Sequence, residues 1–449
     1  MRIDNIMQKK TIILTFILFE LTFCHISFIH FNFVKGLEQV SIKSEYPGIT
    51  HYNMIQNVTY EITLNWTLTR LGPNPYAFYL KYSLFDNRIP SEYEFTPPIQ
   101  VSSLKYHSIE GNGTEIITQT DEFGNHYFLF NRIINNLNSA PILINQKYVI
   151  TLSEISFDDN IPMENIGIYN TSDIIYELYC QAEPLFEMND PTLISLSNSL
   201  VEGLTNPIDK AKAIYDYVSE NIEYVGQAVE RGALWAYQNK EGDCSEFSNL
   251  MITLLRIQGI PARKCTGMIL SNATAAGVAT PNNNLGVGAE WYYYSNFTKN
   301  SPSSSAGILD SNTLLHAWLE YYVPNIGWIP SDPTWGSTGY NYFNYMDFIH
   351  LTANIGAWFE IPSLTNYVSE YSVLPNPVYQ ANGVFEYETL IHIEVLEVNL
   401  IEDNTILPII VGLIILITFL VIIYIFIKTG KSKKENKVMY ENDSLSYTY

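Results

Sequence analysis

Cys244 follows Gly242-Asp243 and opens an apolar-periodic run, His316 opens a later stretch of strand character, and Asp332 closes the next. A thiol, an imidazole and a carboxylate are the parts of a nucleophilic acyl-transfer site. The imidazole takes the thiol proton, the thiolate attacks a carbonyl, and the carboxylate fixes the imidazole tautomer. An unaided thiol titrates near ~8.5 and is mostly protonated at neutral pH. At a helix N-terminus it would face unpaired backbone N–H groups and the positive end of the dipole, which favour the anion. Each residue also has a plainer reading, the cysteine as a small buried apolar residue and the His and Asp as caps of a hairpin. Their joint occurrence favours the chemistry.

The elements that must position these groups follow from the pattern. Phe247, Leu250, Met251, Leu254 and Ile257 recur at helical spacing after Cys244, and Gly259-Ile260-Pro261 stops that helix. His316 to Val323 is rich in aromatic and β-branched residues, Pro324-Asn325-Ile326-Gly327 is a turn, and Trp328 to Asp332 is the return strand. The hairpin brings His316 and Asp332 to one end of a sheet. Simple pairing sets Asp332 nearer Leu319 than His316, so a bulge or asymmetric loop is expected. Residues 190–224 read as helical, with Pro207 at a helix start and Ile208, Ala211, Ile214, Tyr215, Val218 and Ile222 on one face.

Three blocks together carry a resemblance: Lys240-Glu241-Gly242-Asp243-Cys244 with Leu255 to Arg263, then His316-Ala317-Trp318-Leu319-Glu320, then Gly327 to Thr334. Their order and spacing, over roughly residues 195 to 350, resemble the core of the microbial transglutaminase-like superfamily. The resemblance implies a papain-like α+β core with the cysteine helix packed on an antiparallel sheet. It also implies Cys244 as nucleophile, His316 as general base and acid, and Asp332 as its orienting partner. Members include cross-linking acyltransferases, peptidases and amidases. A long insert between the cysteine and histidine blocks departs from the pattern. Gln238, six residues before Cys244, has the spacing of a papain-type oxyanion glutamine.

Composition bounds the rest. A chain of 449 residues with 47% hydrophobic content can fill two or three domains. A formal charge of −22, with no basic face interleaved with aromatics, argues against nucleic acid as a partner. There is no glycine-rich phosphate loop, no zinc-type CxxC and no EF-hand loop. Asp158-Asp159 and Glu187 with Asp190 are too weak to suggest a metal, so no cofactor and no metal are expected. The cysteines are Cys24, Cys180, Cys244 and Cys265. With Cys24 in the leader and Cys244 required as a thiol, Cys180 and Cys265 either pair as a disulfide or remain two free thiols.

The expected organisation has six parts. Residues 1–36 are a signal peptide or N-terminal anchor, with Arg2, Lys9 and Lys10 ahead of an apolar run. Residues 37–165 are a β-rich, sandwich-like domain of alternating strands, and 166–365 hold the α+β core. Residues 366–405 give a last strand or stalk. The uncharged run Ile406 to Ile427 would span ~30 Å of hydrocarbon at ~1.5 Å per residue. In 428–449 the lysines at 428, 431, 433, 434 and 437 set the tail in the cytoplasm. The bulk of the chain is then extracellular, a side that sequons at Asn57, Asn65, Asn112, Asn170, Asn272 and Asn296 weakly support. The stretch 271–313, rich in Ser, Asn, Ala and Gly around Trp291 to Tyr294, is either a lid over the site or a solvated insert.

The function expected from these readings is thiol-dependent acyl transfer on protein or peptide substrates outside the cell, by an enzyme anchored in the bilayer through its C-terminal helix. Hydrolysis is slightly favoured over cross-linking, because nothing identifies an amine-acceptor site. The rival is a catalytically silent transglutaminase-like scaffold used in cell-surface binding or adhesion.

Overall fold

The alternation in Val58-Thr59-Tyr60-Glu61-Ile62-Thr63-Leu64-Asn65-Trp66-Thr67-Leu68 shows why the N-terminal part forms long strands. Every second side chain is apolar and buried, and those between face outward. The computed structural model describes residues 51–72, 76–91, 95–110, 117–134, 140–227, 230–275, 278–279, 285–301, 305–308, 315–356, 378–381, 383–401, 415–425 and 427–428.

Strands β1 (Tyr52–Arg70), β2 (Tyr76–Ser83), β3 (Gln100–Glu110), β4 (Ile117–Thr120), β5 (His126–Ile134) and β6 (Ile142–Phe157) come first. Helices α1 (Ile174–Tyr179), α2 (Pro191–Leu200) and α3 (Pro207–Asn221) follow, then β7 (Glu223–Tyr224), α4 (Ala233–Asn239), β8 (Glu241–Gly242) and α5 (Cys244–Ile257). The remaining strands are β9 (Ala262–Ile269), β10 (Thr274–Ala275), β11 (Val278–Ala279), β12 (Glu290–Lys299), β13 (Ser305–Ile308), β14 (Leu315–Val323) and β15 (Gly327–Ser331). After helix α6 (Pro333–Gly336) come β16 (Tyr345–Met346), β17 (His350–Ile355), β18 (Val378–Ala381) and β19 (Phe385–Leu400).

One sheet runs β12-β19-β1-β6-β16, with β3 also on β6, and a second runs β13-β18-β2-β5-β4. Tyr60, Ile62 and Ile150 of the first share a core with Leu80, Tyr82 and Phe130 of the second. This is a two-layer β arrangement assembled from segments before, within and after the α+β part. Within the segment read as strand or stalk, the described Phe385–Leu400 is strand β19, hydrogen-bonded to β1 from Gln56↔Leu400 to Arg70↔Phe385. Trp291 to Tyr294, the aromatic cluster of the insert, lie in β12 and pair with β19, so the sheet rather than the active-site mouth holds them.

The second core surrounds α5. Residues Cys244 to Arg256 are all buried, the helix lying against β14 and β9 on one side and α2, α3 and α4 on the other. The apolar stripe seen in the sequence is therefore only part of a helix enclosed on every side. Its buried polar residues find partners: Ser248 Oγ donates to the Cys244 carbonyl at 2.8 Å and Thr253 Oγ1 to that of Asn249 at 2.7 Å. The helix ends at Gln258, and Gly259 adopts φ 72°, the left-handed conformation glycine takes at low cost. Helix α3 starts as its sequence suggests, with Asn206 capping the Ile208 N–H and Pro207 in the first turn.

The sheet carrying the histidine runs β15-β14-β9-β17, all antiparallel. Of the uncharged C-terminal run, residues 415–425 and 427 are helical and exposed, while 406–414 and 426 lie outside the described residues, as do residues 1–36 and 429–449. Among the described residues no helix is long and apolar enough to cross a membrane. Cys180, Cys244 and Cys265 are free thiols, so the disulfide alternative is not realised.

Candidate active site

Asp243 is the N-cap of α5 and Cys244 its first residue. Asp243 Oδ1 accepts from the Ser245 N–H at 2.9 Å, and Glu246 Oε2 accepts from the Asp243 N–H at 2.8 Å. Glu246 Oε1 also takes the Arg231 N–H at 2.5 Å, tying the preceding loop to the helix start. The D-x-x-E spacing announces this reciprocal cap, a signal the sequence reading passed over. Gly242 is required by close approach, since a Cβ there would lie 2.3 Å from the Glu246 Cβ.

Helix placement alone does not acidify the thiol. Burial, followed by the charge of Asp243, pushes Cys244 up; a hydrogen bond and charge from His316 and the Ala317 N–H oppose them. His316 Nε2 sits 2.6 Å from Asp332 Oδ2, which leaves Nδ1 as the ring nitrogen that can serve the thiol. Burial disfavours a charged ring, but the charge and hydrogen bond of Asp332, with Cys244, outweigh it and hold the imidazolium up to about 9. The ring stacks near two indoles, with centroids 6.0 Å from Trp318 and 5.6 Å from Trp335.

The hairpin needs no bulge. Its register runs unbroken from Leu319↔Ser331 to Val323↔Gly327 around a three-residue turn with Asn325 at φ 69°. Continued by one step, that register sets Asp332 opposite Trp318, on the same face as His316 and diagonal to it. A diagonal pair lies within reach of long side chains. Asp332 has left the ladder to cap α6, where its Oδ1 accepts from the Thr334 and Trp335 N–H groups at 2.9 and 3.2 Å.

Two residues join the site unannounced. His350 Nε2 lies 3.3 Å from the same Asp332 Oδ2, and its Nδ1 lies 2.6 Å from Asp347 Oδ1. Asp347 also accepts from the Ile349 N–H at 3.0 Å and from the Tyr342 hydroxyl at 2.5 Å. One ligating atom from each of His316, Asp332 and His350 falls within 4.8 Å of the others, a spacing an ion could bridge, but these atoms are already hydrogen-bonded to one another.

Gln238 is not drawn into this arrangement. It is exposed on the last turn of α4, and among the described residues no hydrogen bond links it to Cys244 or His316. The backbone N–H of Cys244 is the donor the helix start offers to an oxyanion.

The family model of the transglutaminase-like superfamily matches residues 194–333. That segment, from α2 to the start of α6, is a transglutaminase-like domain. YebA of Bacillus subtilis, an uncharacterised protein, is 27% identical over 162 residues, which is 34% of this chain and 19% of YebA. The chain therefore matches only about a fifth of that relative's length. Among solved structures, a candidate cysteine protease from Cytophaga hutchinsonii aligns at TM-score 0.45 and 15% identity, over 79% of this chain and 97% of its own. The periplasmic domain of TgpA from Pseudomonas aeruginosa aligns at 0.29 and 15%, over 66% and 96%.

Proposed function

We propose that the protein is a thiol acyl-transfer enzyme acting on peptide or amide bonds, with Cys244 as nucleophile, His316 as base and acid, and Asp332 as the residue that orients His316. The observation carrying this reading is the buried His316, hydrogen-bonded through Nε2 to Asp332 and acting electrostatically on the buried thiol at a helix start. In the reactive form the pair holds one proton, which resides on His316, and the thiolate Sγ bonds to the carbonyl carbon while the Cys244 N–H donates to the oxyanion. Collapse expels the amine, which takes the proton from His316 and leaves a thioester. Water then gives the acid and restores the thiol, or a second amine gives a new amide. Hydrolysis is the favoured outcome because no amine-acceptor site is recognised.

The run 406–427 anchors the chain in a bilayer and leaves the active site outside the cell. The described part of that helix supports this, because Leu416, Ile417, Phe419, Val421 and Ile422 are apolar around the whole helix and exposed. A helix apolar on all sides belongs in a core or a membrane.

A single experiment addresses chemistry and topology. Intact cells carrying the full chain are treated with a membrane-impermeant maleimide, and the labelled cysteines are mapped. Cys244 should label well ahead of Cys180 and Cys265, and Cys244→Ala should lose both this label and hydrolysis of casein. Equal slow labelling of all three would leave the scaffold reading in its place. Labelling of Cys244 only after lysis would reverse the orientation.

A further inference from the structure

His350 is flanked by two carboxylates, Asp332 on Nε2 at 3.3 Å and Asp347 on Nδ1 at 2.6 Å. A neutral imidazole has one N–H, so one of these contacts would set a carboxylate oxygen against a nitrogen lone pair. Both are satisfied only when the ring carries two protons. The ring has little freedom to relieve the conflict: it is fully buried, with Trp335 at 4.6 Å, Trp318 at 5.1 Å and Tyr342 at 5.6 Å around it. Asp347 is fixed in turn by the Tyr342 hydroxyl and the Ile349 N–H.

The consequence falls on Asp332. Its Oδ2 is shared between His316 and His350, so the charge it lends to His316 is partly neutralised by a second cation. Without His350, His316 would face two carboxylates with no cation between them.

We propose that His350, held by Asp347, is a positioning residue that fixes the Asp332 carboxylate and limits the negative charge seen by His316. This deepens the acyl-transfer reading above and rests on it. The pair thereby tunes how readily His316 releases the proton that the leaving amine must take. The titratable groups facing this cluster are Cys244 from α5, Asp332 before α6, Asp347 before β17, and the phenols Tyr60, Tyr215 from α3, Tyr224 from β7, Tyr342 and Tyr345. Burial is the first cause pushing all five phenols up, joined by the charge of Asp347 at Tyr60, Tyr342 and Tyr345, so they stay neutral.

The test uses the full-length chain and iodoacetamide, following labelling of Cys244 by peptide mapping across pH. Loss of the His316 proton gives the profile its alkaline inflection. His350→Gln removes the cation and should raise that inflection by roughly one pH unit. Asp347→Asn removes an anion together with the reason for the second proton on His350, so the two losses offset and the inflection should move much less. A packing role would not make the more conservative loss of charge the larger shift. An inflection unmoved by His350→Gln, or an equal shift in both variants accompanied by loss of the folded melting transition, overturns the proposal. His316→Asn distinguishes the two levels. An inflection that survives it sinks the Cys244–His316 reading and this proposal together; one that vanishes there yet ignores His350 sinks only the proposal.

Discussion

Two buried thiols in this fold meet opposite fates. Cys244 opens α5 beside His316, while Cys265 lies in β9 opposite Trp318 of β14, next to Arg88, Arg263 and Glu320. The second cluster is charged too. Arg88 Nη2 donates to both Glu320 oxygens at 3.0 and 2.8 Å, and Arg263 Nε to one of them at 2.8 Å. The Arg263 guanidinium also covers the Trp328 ring at 3.9 Å. Burial and then the charge of Glu320 nevertheless push the Cys265 thiol far up, with the guanidiniums only partly opposing them. A guanidinium is always charged and can neither accept nor return a proton. The imidazole beside Cys244 can do both, and its carboxylate is within hydrogen-bond reach. What separates the two thiols is a neighbour that titrates, not the mere presence of charge.

The sharpest way to break that comparison is Asp332→Asn. Asparagine can still cap α6, so the fold should persist, but its amide can donate to His316 Nε2. The ring proton would then sit on Nδ1, facing the thiol, with no base left to receive a proton. Turnover should fall by something on the order of 10⁴, the size of the effect when the orienting aspartate of a serine protease is changed in the same way. Steady-state hydrolysis by the variant within tenfold of the parent would show that the Asp332 contact is structural, like that of Glu320.

The outline of this site was legible because its parts are local. The cysteine helix, the strand opening at His316 and the turn before Asp332 each follow from residue types and periodicity over short stretches. The interlocking of His350 and Asp347 with Asp332 was not, since it depends on β17 pairing with β9, and on Asp347 lying next to a turn. The sequence around His350 has no distinctive spacing, and both residues lie past the stretch matched by the family. The two β-layers were recognised as strands, yet the placement of β12 and β19 beside β1 is a long-range pairing that alternation leaves open. The unbroken hairpin register was missed because side-chain reach across a diagonal, not strand pairing, closes the gap between His316 and Asp332.

The counterpart to Asp332→Asn is Glu320→Ala. It leaves two guanidiniums buried without their shared carboxylate, and breaking a buried pair in this way costs about 3–5 kcal/mol. Chemical denaturation should show that loss, while the alkaline inflection of Cys244 labelling stays where it is in the parent. An inflection displaced by Glu320→Ala would mean that the two clusters are electrically coupled through Trp318 and that the contrast drawn between them is too strong.

The smallest effect expected is also the most diagnostic, the dependence of stability on pH. His316 and His350 are both held up to about 9, against ~6.5 in an unfolded chain; burial opposes this, and the carboxylates around each ring overcome it. For a cation raised in the folded state, the stabilisation is complete below the unfolded value and is lost as pH rises through the folded one. Glu246, held up to about 8 by burial and by Asp243, acts with the same sign between ~4.3 and that value. Glu246 is common to the parent and a His316→Gln variant, so the difference between the two curves reports His316 together with the thiol it partners. From pH 6.5 to 9.5 the parent should lose about 2 kcal/mol more than His316→Gln, whereas Glu320→Gln, which removes nothing that titrates in this range, should follow the parent slope from a lower start. Parallel curves for the parent and His316→Gln would mean that the imidazole gains nothing from Asp332 in the folded state, and His316 would then be no more switchable than the guanidiniums beside Cys265.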